Sequence, residues 1–166
     1  LYGRLLGFVG LIAFFSFWAQ SDLLISSEGL VPFKDDLQQI EGFITTTNSD
    51  ISKWYARPTL LWLSNTDLWL DIILFLGVCS SILLLLGIIP HIAIAISWVS
   101  YLSISSVSEP FLNFQWDTLL LETYLLSFFF VPWKIYDDRT KIQNPSIIGR
   151  WLLWLLIIKL MFESGL

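Results

Sequence analysis

Phe111-Leu-Asn-Phe-Gln-Trp-Asp-Thr-Leu-Leu-Leu-Glu122 carries two carboxylates into an apolar run that continues to Phe130. An acidic side chain is costly in hydrocarbon and is found there when it is paired or lines a polar cavity. The stretch therefore reads both as a membrane span and as a candidate site. The rest of the chain is of the same kind. Of its 166 residues, 55% are apolar and 16% aromatic, with nine Trp, and the mean hydropathy is +0.71. No soluble domain of this size keeps that balance in water.

Spans of about 20 residues leave room for roughly five helices. Outward from the opening stretch, which begins a segment at 117–133, the expected segments lie at 3–19, 68–89, 91–107 and from about 145 to at least 162. Lipid supplies no partner for backbone N–H and C=O groups, so each span satisfies its own as a helix. The alternation of a transmembrane barrel is absent. The expectation is an all-α, multi-pass transmembrane bundle forming a single domain over residues 1–166. Gly3, Gly7 and Gly10 give the first segment a face that another helix can approach closely. A signal peptide is the alternative for residues 1–19, but Phe17-Trp18-Ala19-Gln20 lacks a small-x-small cleavage pattern. Pro90 reads as a tight turn between the second and third segments.

Residues 20–67 form the one long polar connection, expected to be a loop with short elements broken at Pro32, at Thr45-Thr-Thr-Asn-Ser-Asp50 and at Arg57-Pro58. Trp54, Tyr55, Trp62 and Trp69 are expected at the membrane interface. Arg4 and the group Lys134, Arg139, Lys141 and Arg150 mark the cytoplasmic side, which puts the N-terminus in the cytoplasm. The long loop then lies on the non-cytoplasmic side, with seven acidic residues against three basic ones. The chain starts at Leu1 and stops within Glu163-Ser-Gly-Leu166, which fits a part of a longer protein.

At about 1.5 Å per residue, Glu122 lies roughly 7 to 8 Å beneath Asp117, and Lys159 roughly 18 Å above Ile147, within a core about 30 Å thick. Asp71 and Glu163 fall near the same level. The expected centre is thus a buried polar cluster of Glu122, Lys159, Asp117, Asp71 and Glu163, with Glu122 paired to Lys159. A carboxylate beside an ammonium keeps its charge where a lone one would neutralise. The pair reads first as a structural register lock and second as a polar-ligand or proton-transfer site; Asp71 and Asp117 read as cap or interface residues.

Other chemistry finds little support. Cys79 is the single cysteine, so no internal disulfide and no Cys-based metal site can form. His91 has no second His beside it, so no metal is expected. The hydroxyl-rich third segment, with Ser97, Ser100, Tyr101 and Ser103 to Ser106, bonds to its own backbone or lines a polar crevice. Phosphate loops and basic stripes are missing, so no cofactor and no nucleic acid are expected. The partners expected are membrane lipid and other membrane or secreted proteins, with the chain as one subunit of a hetero-oligomer as a further reading.

Phe111, Phe114, Gln115, Trp116, Asp117, Leu121 and Glu122 form a motif that closely resembles the F-x-x-F-Q-W-D-x-L-L-L-E signature of the lipase maturation factor family. Arg4-Leu-Leu-Gly-Phe with Trp18-Ala-Gln20 resembles that family's first span, and Arg150-Trp-Leu-Leu with Leu160-Met-Phe-Glu-Ser-Gly165 its fifth. The resemblance implies an integral membrane protein of the endoplasmic reticulum or the bacterial inner membrane, acting as a non-enzymatic chaperone or assembly factor for secreted or membrane clients. An accessory structural subunit of a larger membrane complex is the alternative. The region also looks like a distant relative of the vitamin K-dependent γ-carboxylase type of transmembrane domain. That likeness implies an enzyme in which Glu122 and Lys159 handle protons near a lipid-soluble quinol.

Overall fold

A computed structural model of the chain describes residues 1–47, 52–109, 111–112, 114–131 and 146–165. Among the described residues there are seven α-helices and no strand: α1 (Tyr2–Leu24), α2 (Phe33–Thr47), α3 (Lys53–Ala56), α4 (Asp67–Leu86), α5 (Pro90–Val107), α6 (Gln115–Phe130) and α7 (Ile147–Ser164), with a 3-10 turn at Leu60–Trp62. The protein is all-α, as expected. The count of about five is off in two ways. The polar connection holds two helices of its own, α2 and α3. Of the five expected segments, α1, α4 and α5 are long and apolar enough to cross a membrane. At 16 residues α6 is about 24 Å long, short of a core about 30 Å thick, and α7 carries Arg150, Lys159 and Glu163 among its 18 residues.

The five long helices pack in series, α1 on α4, α4 on α5, α5 on α6 and α6 on α7, and α1 folds back to touch α5 and α6. Close approach sets the first of these contacts. A Cβ on Gly7 would meet the backbone of Leu85 at 2.6 Å, and one on Gly10 would meet the Tyr124 hydroxyl at 1.8 Å. The glycines thus let α1 lie against the α4 backbone and leave room for a fully buried tyrosine from α6. Gly3 is in ordinary contact with Leu84, 3.8 Å away. At the α4–α5 turn, Gly87 takes φ 78° and Ile88 N–H donates to the Leu83 carbonyl at 2.9 Å, a Schellman ending. Ile89 then enters the left-handed region at φ 44°. Such a conformation costs a β-branched residue about 1–3 kcal/mol. Pro90 follows it, and the ring's clash with the preceding residue disfavours the ordinary helical alternative there.

Helix boundaries shift where polar residues find helical partners. The first span runs on to Leu24 because Gln20 donates to the Ser16 carbonyl and Ser21 to that of Trp18. The connection is more ordered than a loop with short elements. In α2, Phe33 and Leu37 are buried one turn apart, while Asp35 and Asp36 occupy the first turn, where negative charge suits the helix dipole. Thr45 and Thr46, read as breakers, form part of its last turns and bond back to Glu41, Gly42 and Phe43 carbonyls. Together α2, α3 and the 3-10 turn make a cap over the end of the bundle where α1 and α5 finish and α4 and α6 begin.

Candidate functional site

The sequence of α6 sets two faces to different tasks. Gln115 and Glu122, seven residues apart, share one side, whereas Asp117, Leu121 and Tyr124, at i, i+4 and i+7, share another. The second face is packed inward: Asp117 and Tyr124 are buried, and Leu121 packs on the main core. The first face meets α7. Phe114 and Trp116, whose rings pack edge to face, stand on the outer surface at the helix start. Phe111 closes the preceding turn, its N–H donating to the Ser108 carbonyl at 2.8 Å.

On the α7 side, Lys159 donates to Glu122, and its ammonium is also 3.7 Å from Glu163 one turn on. Gln115 donates to Glu163 at 3.5 Å. These four side chains, with Thr118 and Leu156, line a cleft of about 170 Å³ between the helices. At 41% and 33% exposure the Lys159 and Glu122 side chains are half-buried by protein. The cleft lies along the α6–α7 seam, and α6 is the main helix on which α7 packs among the described residues.

Asp117 is elsewhere. It sits in the first turn of α6, 9% exposed, and accepts a hydrogen bond of 2.6 Å from the Tyr101 hydroxyl of α5. Its Oδ2 oxygen is buried with no hydrogen-bond partner. Asp71 of α4 is in a third place: it is exposed and accepts from the Trp18 indole of α1 at 3.0 Å. The five expected residues thus fall into three separate groups, Glu122 with Lys159 and Glu163, Asp117 with Tyr101, and Asp71 with Trp18. Counting rise along each helix fixes height but not direction around the axis, and each residue turns the side chain by a further 100°. Residues at one level therefore face different neighbours.

The cap holds a residue that the sequence did not single out. Arg57 pairs with Asp36 of α2 at 3.2 Å and with Glu109, beyond the end of α5, at 2.8 Å. Burial works against its charge, but the hydrogen bond to Glu109 and the charges of Asp36 and Glu109 prevail and hold its pKa above the ordinary arginine value. Around it, Trp62 donates to the Arg57 carbonyl, Thr59 to the Ser103 carbonyl, and Lys53 lies 5.2 Å over the Trp62 ring. Asp67 at the head of α4 accepts from Ser27 and pairs with Lys34 at 3.4 Å. A sequence signal existed: Arg57 is the one arginine between residues 20 and 67, among seven acids. Lys134, Arg139 and Lys141 lie outside the described residues. Among those described, no group of three or more His, Cys, Asp or Glu side chains could hold a metal.

The profile of the lipase maturation factor transmembrane domain matches residues 1–166. The chain belongs to the lipase maturation factor family. It is 30% identical to mouse (Mus musculus) lipase maturation factor 1 over 98% of its own length and 29% of that protein's. It is 32% identical to the cattle (Bos taurus) lipase maturation factor 1 over 98% of the chain and 30% of that protein. With chicken (Gallus gallus) lipase maturation factor 2 it is 31% identical over 93% of the chain and 22% of that protein. The chain thus spans less than a third of these relatives. No solved structure matches it. As a lipase maturation factor transmembrane domain with three helices able to cross a membrane, the chain is that of a membrane protein.

Proposed function

We propose that the chain is the membrane part of a folding or assembly factor whose clients are secreted or membrane proteins, lipases among them. The observation that carries this reading, beyond the family, is the cap. It presents a groove of about 490 Å³ between α2 and α3, where Ile40, Phe43, Ile44 and Ala56 meet Asp36, Gln39 and Arg57. Phe43 is 65% exposed, and Tyr55 of α3 and Leu30 just before α2 are exposed as well. An apolar surface rimmed by charge suits transient capture of unfolded chain. On this reading the protein is multi-pass, in the endoplasmic reticulum or the bacterial inner membrane. The N-terminus is cytoplasmic and the cap lies on the side where secreted clients fold. The distribution of Arg4 and Arg150, at the end of the bundle opposite the cap, supports that orientation.

A second reading, an accessory subunit of a larger membrane complex, is favoured by α7. Trp151, Trp154, Leu155, Ile158 and Phe162 are all more than half exposed on it. Purification of the full-length protein separates the two. A folding factor yields sub-stoichiometric, short-lived complexes with newly made secreted proteins; an equimolar partner that persists through purification overturns this reading in favour of the subunit.

A further inference from the structure

A lateral groove of about 630 Å³ runs between α1 and α6, walled by apolar side chains such as Val9, Ile12, Phe17 and Trp116 and ending at Tyr101 and Asp117. Its size falls in the range of small-molecule sites, and its make-up, apolar walls with Ser16, Gln20, Tyr101 and Asp117 as the few polar groups, is that of a ligand pocket. The polar end is unusual. Asp117 is nine-tenths buried, one carboxylate oxygen is taken by Tyr101, and the other has no partner. An unpaired buried carboxylate oxygen is costly, and a donor bearing positive charge offsets that cost best. On its other flank Asp117 borders the crevice of Arg57 and Glu109. Arg57 is already paired with Asp36 and Glu109, and the Asp117 carboxylate bordering that crevice, with one oxygen unpaired, favours a cationic donor.

We propose that this groove is a binding site for a membrane lipid with a primary-ammonium headgroup, phosphatidylethanolamine in chemical terms. One acyl chain lies between α1 and α6, and the ammonium sits against the Asp117 carboxylate that lines the groove. Val9 and Ile12 are half-exposed on the flank of α1, so the groove opens sideways, toward the bilayer. The apolar walls receive the chain, and the ammonium supplies the specificity, since a trimethylated head carries the charge without the donors. The site is independent of the cap groove and of the client reading.

The test uses the full-length protein in detergent micelles with a phosphatidylethanolamine probe that carries a photoreactive acyl chain. Labelling is expected on α1 and α6, competed by unlabelled phosphatidylethanolamine at least about tenfold better than by phosphatidylcholine or phosphatidylglycerol. Asp117→Asn should lower it at least about fivefold. Ile12→Trp, a surface change that fills the groove and leaves the carboxylate intact, should lower it comparably. Equal competition by phosphatidylcholine on the unaltered protein, or undiminished labelling in Ile12→Trp, overturns the proposal, and neither result depends on the Asp117 variant folding.

Discussion

Gly10 and Tyr124 show how one residue's smallness is another's seat. Tyr124 is fully buried, its hydroxyl next to Ser81 and Ser97, and the space it fills is the space that a side chain at Gly10 would need. Small-residue faces let helices in lipid pack closely, and here the gap is used by an aromatic side chain from a third helix. Gly10→Ala is therefore expected to destabilise the bundle by about 1–3 kcal/mol, the usual penalty of overpacking, read as a lower melting temperature in detergent. Tyr124→Phe removes the atom nearest the new methyl. In a double-mutant cycle the two changes should couple, the phenylalanine recovering part of the loss; simple additivity would show that the contact does not set the packing.

Between elements, charge decides what is held to what. The α6–α7 seam is joined by Glu122, Lys159, Glu163 and Gln115, and at its other end a Cβ on Gly149 would meet the Phe130 backbone at 2.5 Å. Glu122→Lys should loosen α7 and lower the melting temperature, and adding Lys159→Glu should restore most of it by reversing the pair. No recovery in the double variant would mean that the two side chains are not energetically joined. For the cap the decisive residue is Arg57, whose planar fork serves Asp36 and Glu109 at once. Arg57→Gln is expected to raise amide hydrogen exchange in α2 about tenfold while that of α4 and α5 is unchanged. Arg57→Lys should fall between, since a point charge cannot hold both acids in the same geometry. Uniform exchange in all variants would show that the cap stays docked without its clamp.

At the scale of the molecule, much of the bundle was legible because lipid imposes so simple a rule. Apolar runs bounded by Pro90, Gly87 and Asp67 gave α4 and α5 to within three residues at each end. What escaped was mostly polar. The connection at 20–67 reads as punctuation because Pro32, the threonines and Arg57-Pro58 are turn formers, yet Phe33, Leu37, Ile40 and Ile44 keep a helical period through it. The motif around Asp117 was visible, but its division into an α7-facing edge and a Tyr101-facing edge depends on the angle around α6. That angle is fixed by neighbours that no local pattern names. Asp71 was grouped with Glu122 on a count of residues along each helix, whereas its side chain meets Trp18 of α1.

That the cap receives client polypeptide is the claim on which the functional account stands. It is tested most directly by placing a photocrosslinking residue at Phe43 of the full-length protein in its native membrane and pulsing the cells with label. The account predicts adducts with newly synthesised secreted or membrane proteins that vanish as those proteins mature, and none from a control position at Leu86 on the far end of the bundle. Adducts at Phe43 with lipid alone, or the same polypeptide adducts from both positions, would contradict it.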